Sequence, residues 1–384
     1  MYEFAFYYSV SFKYDEMSVI TSVSTVLPAY KHKQSDLAEF MCELLQYSDR
    51  QKEKLKFLYA KSGIETRYSV IPDYSLSKNQ RSFFPKTSDL EPFPTIEYRM
   101  QYYNDAALPL CISAIDACIK GKIDYSQITH LITVSCTGMS APGLDIDITQ
   151  YLKLKPDINR TSINFMGCYA AIHALKQADY ICKIEPDAIV LIVCVELCTI
   201  HFQKIDDADN TIANLLFADG AAAILVMASN FALEKGINGL EIKKFNSQIE
   251  LNGKTDMMWQ LSSTGFLMKL SASVPQLIEK GFKNLFDRSI DQLKINKQDI
   301  THWAIHPGGR RILEVIQKEL ELKQDDLESS YKILKNYGNM SSPTILFVLK
   351  DIWDNKVTMG KKELTYAVAF GPGLTMESVI LENV

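Results

Sequence analysis

The sequence has no long apolar run. Its longest, Ala188 to Val195, is far too short to cross a bilayer, so no membrane insertion is expected. The first residues carry no basic stretch followed by an apolar core, and no secretory leader is expected. Cysteine occurs eight times (Cys42, Cys111, Cys118, Cys136, Cys168, Cys182, Cys194 and Cys198), never as a CxxC pair or at zinc-ligand spacing. Several lie inside apolar runs, which points to reduced thiols in a cytoplasmic protein and to no bound metal. Basic charge is not in excess. With 41 Lys and Arg against 46 Asp and Glu, the net charge of −5 argues against a general nucleic-acid binder. No Pro/Gly-rich or low-complexity tract divides the 384 residues, so the two packed units implied by that length must be closely joined.

Short β-branched runs alternate with helical patterns. Thr129 to Ser135, Ser162 to Met166, Ala188 to Val195, Ala221 to Met227, Trp303 to Ile305 and Tyr366 to Phe370 read as buried strands. Between them, Ala107 to Ile119, Tyr169 to Ile181, Val274 to Leu293, Arg310 to Leu320 and Ser342 to Trp353 carry apolar residues three and four apart. That alternation predicts an α/β fold. Residues 1–17 stand apart as an N-terminal extension. In it every even position from Tyr2 to Tyr14 is aromatic or Val, the period of a strand with one apolar face.

An internal echo predicts two related halves, 18–230 and 231–384. "SQITHLITVSCTG" and "QDITHWAIHPGG" place Ile128 and Ile300 172 residues apart. The same offset from Cys168, in "MGCYAA", falls one residue beyond Asn339 in "YGNMSSPTILFVL". Both residues would then stand at matched helix starts, where the dipole and free N–H groups favour a thiolate. His306, in "AIHPGGRR", ends a strand before a glycine turn. Taken singly, each has a plainer reading: Cys168 as a core thiol, His306 as a turn histidine, Asn339 as a helix cap. Three such junctions together make a coincidence much harder.

These motifs, with "FGPGLTMES", "LLFADGAAAILV" and "STGFLMKLSASVP", resemble the type III polyketide synthases, the chalcone synthase superfamily. The likeness runs from about residue 18 to the C-terminus. It implies a thiolase-like fold in five αβαβα layers, a homodimer and no cofactor, with malonyl-CoA and an acyl thioester as substrates. By the resemblance, Cys168 carries the acyl starter, His306 pairs with it as an imidazolium, and His306 and Asn339 stabilise the enolate formed by decarboxylation. The extended chain then cyclises to a resorcinol, phloroglucinol or pyrone. Phe217 and Phe266 match the aromatic pair between the CoA tunnel and the cavity, and Gly371, Pro372 and Gly373 match the loop beneath it. Ser341 joins the substrate-binding set. Lys54 and Lys61 match CoA-phosphate positions, and Gly308 and Gly309 would approach the pantetheine arm.

The departures point away from plant flavonoid chemistry. His201, Cys136 and Cys198 stand where the plant enzymes keep threonines, Met257 replaces a pocket glycine, and Phe57 replaces a CoA-binding arginine. "DMMWQLSSTGF", with Trp259 seven residues before Phe266, is nearer in style to microbial acylresorcinol and acylpyrone synthases. Sulfur-rich apolar walls suit an aliphatic starter, delivered by CoA or by an acyl carrier protein. Two other readings keep the thiolase fold: a carrier-dependent β-ketoacyl synthase of fatty acid initiation, and a non-catalytic partner subunit. A papain-like protease shares the Cys, His, Asn order but lacks "CGSCW".

Overall fold

The structure, a computed structural model, describes residues 17–358 and 360–384. The strand expected over Tyr2 to Tyr14 therefore lies outside the described residues. The strands run β1 (Ser18–Val26), β2 (Tyr30–Lys33), β3 (Thr66–Ser69), β4 (His130–Ser135), β5 (Asn159–Asn164), β6 (Ile189–Leu197) and β7 (Asp219–Ala228). They continue with β8 (Leu240–Ile249), β9 (Met257–Ser262), β10 (Gly265–Leu270), β11 (Ile300–Ile305), β12 (Leu364–Gly371) and β13 (Thr375–Asn383). Nine of them are hydrogen-bonded in the order β11-β12-β13-β8-β1-β7-β6-β4-β5, while β2–β3 and β9–β10 are separate ladders.

The nine-stranded order consists of two halves joined at a pinch. Between β1 and β8 only Val19 with Glu241 and Ile20 with Leu240 are paired. On one side β4 is parallel to β6, β6 antiparallel to β7, and β7 antiparallel to β1. On the other side β11 is parallel to β12, β12 antiparallel to β13, and β13 antiparallel to β8. The repeated "ITH" leads into β4 and β11, which hold equivalent places, so the echo in sequence is also one of topology.

Strands β6 and β7 are buried along their whole length, as continuous apolar runs require when both faces are covered. Helices Ala170–Ile184 and Thr344–Asn355 supply the inner cover, sharing one core with strands of both halves. Helix Ile96–Ile119 covers β1, β6 and β7 from outside, and Val274–Leu293 covers β8 and β13. The layers are thus helix, sheet, helices, sheet, helix, the thiolase-like arrangement that the resemblance implies.

Two boundaries differ from the sequence reading for identifiable reasons. Strand β5 stops at Asn164 because Phe165 has φ 58°, a left-handed conformation that cannot continue a strand. The helix expected from Ala107 begins at Ile96, where Thr95 Oγ1 accepts the Tyr98 N–H at 3.3 Å as an N-cap. The first difference matters for function, because the bend at Phe165 delivers the chain to Cys168.

Candidate active site

Cys168 stands immediately before the inner helix Ala170–Ile184. Gly167, at φ 82°, completes the turn into it, and a Cβ there would lie 2.2 Å from Pro372 Cδ. Only glycine fits that turn. Asn339 holds the matching place before the other inner helix, Thr344–Asn355. Its backbone is paired across the molecule: its N–H donates to the Leu216 carbonyl at 2.9 Å, and its carbonyl accepts the Ala218 N–H at 2.8 Å. Phe217 is held between those two bonds. His306 follows β11, anchored by its N–H to the Val368 carbonyl of β12 at 2.9 Å.

These side chains converge. The Cys168 thiol faces Ser341 Oγ at 3.6 Å and Asn339 Oδ1 at 3.9 Å. Asn339 Oδ1 also accepts the Ser341 N–H at 2.8 Å, which fixes the carboxamide with its Nδ2 towards the Gly308 carbonyl at 3.4 Å. Gly308 lies against the His306 ring, where a Cβ would be 3.7 Å from Nε2. His306 is fully buried, and neither ring nitrogen has a hydrogen-bond partner among the described residues. Buried polar atoms are seldom left so, and the exceptions cluster where chemistry needs a free group.

Burial sets the charge states. It pushes the Cys168 thiol up to about 12 and the His306 imidazole down to about 3. Burial thus works against the thiolate–imidazolium pair that the resemblance implies and favours the neutral thiol and imidazole, and the charge of Glu196 adds to the rise at Cys168. Glu196 is an acid the sequence reading passed over, although a carboxylate inside the apolar strand "IVLIVCVEL" was a signal. Burial raises it to about 7, opposed by hydrogen bonds from the Cys136 N–H and the Ser342 and Thr137 hydroxyls at 2.7–2.9 Å.

The other expected residues divide between two cavities. A narrow one of about 40 Å³ is lined by Phe217, Phe266, His201 and Cys198, together with Met41 and Met268. A wider one of about 560 Å³ is lined by Lys61, Gly308 and Gly309. Arg310 and Arg311, absent from the sequence-based set, stand at its rim. Phe57, 64% exposed on the adjoining helix, has the Lys61 ammonium 5.6 Å above its ring. Lys54 is exposed on the same helix without lining that cavity. Cys136 and Met257 line neither cavity. The Cys136 Sγ instead accepts the Gly167 N–H at 3.0 Å, and Met257 packs in the core. A Cβ on Gly371 would stand 2.6 Å from the Tyr169 ring and 3.2 Å from the Cys168 nitrogen, while Gly373 (φ 72°) continues that close loop.

Arg67 was also missed, since "ETRY" looks like any surface segment. It is buried, donating to Gln34 Oε1 at 2.9 Å and to the Phe217 carbonyl, and its stem packs under Gly338.

Similarity to known proteins follows the same outline. The chalcone and stilbene synthase family matches in two parts, its N-terminal domain over residues 10–230 and its C-terminal domain over 241–384. The "alpha-pyrone synthesis polyketide synthase-like Pks18" of Mycobacterium tuberculosis is 30% identical over 368 residues, 95% of this chain and 91% of that protein. Type III polyketide synthase C of Arabidopsis thaliana is 30% identical over 380 residues, 96% of each chain. The crystal structure of PKS-I from the brown alga Ectocarpus siliculosus superimposes with a TM-score of 0.88 at 27% identity, covering 96% of this chain and 99% of that one.

With the Cys168 thiol at about 12, its thiolate fraction grows with pH throughout the neutral range. Iodoacetamide modification of Cys168 in the unliganded protein, followed by peptide mass spectrometry, is expected to quicken about tenfold per pH unit between about pH 7 and 10. A rate already level below about pH 7 would show a resting thiolate and overturn the neutral pair.

Proposed function

The chain belongs to the chalcone and stilbene synthase family, type III polyketide synthases that perform decarboxylative condensation, and from that premise we propose how its residues act. Malonyl-CoA is the extender that membership implies. Cys168 is the nucleophile and His306 its base. The observation that carries this is the meeting of Cys168, Asn339 and Ser341 at the starts of the two inner helices, beside a buried imidazole with both nitrogens free.

Loading begins when Cys168 Sγ attacks the starter thioester carbonyl. The neutral imidazole accepts the thiol proton and passes it to the departing CoA sulfur, so the site ends uncharged. Malonyl-CoA then loses CO₂, and the electron pair of the broken C–C bond becomes an enolate. Asn339 Nδ2, whose only partner among the described residues is the distant Gly308 carbonyl at 3.4 Å, and His306 donate to that enolate oxygen. Preorganised donors in a water-poor site strengthen there without reorganising. The enolate carbon attacks the acyl–Cys168 carbonyl, the C–S bond breaks, and the negative charge passes to the Cys168 sulfur, which takes up one proton from solvent by way of the His306 imidazole. Reloading allows further rounds before cyclisation to a resorcinol, phloroglucinol or pyrone. Cys168→Ala is expected to abolish condensation while malonyl-CoA decarboxylation continues through His306 and Asn339, both read by mass spectrometry of products. Polyketide formation by that variant would sink the assignment.

The starter is an aliphatic acyl group of medium or greater length. Leu37, Phe40, Met41 and Met268 line the narrow cavity with Phe217, alongside polar residues such as Gln203 and Asn214, and the methionines adapt to a flexible chain. Each sheltered methylene contributes about 0.8 kcal/mol, close to fourfold in kcat/KM. The specificity constant is expected to rise from acetyl- to hexanoyl-CoA and stay low for coumaroyl-CoA; coumaroyl-CoA as the best of the series would refute the aliphatic starter.

A twofold homodimer in a cytoplasmic setting completes the proposal. The eight unpaired cysteines suit a reducing compartment. Strand β5 is a sheet edge, exposed at five of its six residues, with Met139 and Tyr151 exposed nearby in the chain. Such an edge is a template for a second copy. Sedimentation at micromolar concentration should give twice the 43.5 kDa chain mass; a single species at the chain mass would exclude the dimer.

A further inference from the structure

The hairpin β9–β10 carries Phe266, yet it shares no ladder with the nine-stranded sheet. Side-chain bonds must therefore set much of its position relative to Cys168, and several meet at one place. Trp259 Nε1–H donates to the Cys136 carbonyl at 2.7 Å. His201 Nε2–H donates to the next carbonyl, that of Thr137, at 2.7 Å, while its Nδ1 accepts the Phe266 N–H at 3.1 Å. The tautomer follows from these partners, because a backbone amide only donates and a carbonyl only accepts. The imidazole also stacks on the Phe266 ring, centroids 4.2 Å apart at 9°, and Trp259 stands edge-on to both.

The grip extends to the nucleophile. Cys136, held by Trp259, accepts the Gly167 N–H on its sulfur at 3.0 Å, one residue before Cys168. From the other direction, Phe165 meets the Phe266 ring at 5.1 Å. The hairpin, the turn after β4 and the segment leading into Cys168 thus form a closed circuit of contacts. His201 uses both nitrogens and one ring face within it, so it has no donor left for a growing polyketide. Burial lowers its imidazole to about 3, and the bonds do not titrate near neutral pH.

We propose that His201 and Trp259 are positioning residues that bolt the Phe266 hairpin to the segment bearing Cys168, and so fix the line along which the enolate meets the acyl group on Cys168. The proposal rests on the condensing reading above. Condensation needs the hairpin and the acyl–Cys168 in register. Decarboxylation of malonyl-CoA needs only His306 and Asn339, which lie outside the circuit. The two steps should therefore respond differently when the bolt is cut.

The experiment measures triketide formation from hexanoyl-CoA and malonyl-CoA, alongside malonyl-CoA decarboxylation, in four variants. His201→Phe keeps a ring but loses both hydrogen bonds. Trp259→Phe, on a partly exposed face of the hairpin, loses one. Their combination removes all three of these hydrogen bonds while the Gln203–Thr264 and Ile96–Ser263 bonds still hold the hairpin tip, and His201→Gln can keep a donor and an acceptor. In His201→Phe and Trp259→Phe, condensation is expected to fall at least about tenfold while decarboxylation changes less than about threefold. The double variant should be little worse than the poorer single one, since both cut the same linkage. His201→Gln should recover most of the loss. Should His201→Phe fail to fold, Trp259→Phe still decides, because an unchanged ratio of condensation to decarboxylation in it overturns the proposal. Equal falls in both activities would do the same. A wild-type protein that makes no polyketide at all would instead deny the condensing reading.

Discussion

Two backbone hydrogen bonds, one on each side of Phe217, hold the molecule's chemistry in register. They join Asn339, from the second half, to Leu216 and Ala218 in the first. Because Cys168 belongs to the first half and Asn339 to the second, their approach depends on how the halves meet. The β1–β8 pinch alone is too short to specify that, with two paired positions. A slip of one residue at Asn339 would unpair a buried amide and a buried carbonyl, at about 1–3 kcal/mol for each group. It would also bring Gly338 or Met340 to the place of the carboxamide. Arg67 reinforces the joint by holding the Phe217 carbonyl and lying under Gly338.

The inner helices explain why the site lies where it does. Each must bury opposite faces against two sheets, which leaves its ends as the places where polar groups can gather. Both starts lie by one centre, each with the positive end of its helix dipole. What gathers there is polar but mostly uncharged at rest: a thiol, an imidazole, a carboxamide and hydroxyls. The nearby carboxyl of Glu196 has its pKa lifted close to neutrality by the same burial. A set of neutral groups can occupy a closed interior without the heavy desolvation cost of ions.

Much of this could be read from the sequence, and the limits have physical causes. Strands β4, β6 and β7 and the inner helices are covered on all sides, so their apolar runs speak plainly. Strand β8, "LEIKKFNSQI", is half-covered and rich in charge; it left no such trace, although it carries the pinch and pairs along β13. The three candidate catalytic residues stood out because they sit at junctions where glycine punctuates the chain. Arg67 and Glu196 depend on burial produced by distant segments, which local pattern does not report. His201 and Cys136 were assigned to the cavity wall by position in the family motif. Cys136 lines neither cavity, its sulfur facing the Gly167 N–H instead; His201 does line the narrow cavity, but both its ring nitrogens are spent on backbone partners, which only tertiary geometry could show. Arg310 and Arg311 lay in view within "HPGGRRIL", but the cavity they border forms only when the helix Asp49–Lys61 packs alongside.

The neutral pairing of Cys168 and His306 has a consequence for the protein when idle. A thiolate attacks peroxide, forming an S–O bond as the O–O bond breaks, and the sulfenic acid so formed leads on to forms that cannot be reversed. A thiol kept permanently ionised would be exposed to that loss between turnovers. At Cys168 burial holds the sulfur towards the neutral thiol in the empty site. The same burial that makes the thiol reluctant there therefore also shields it from oxidation.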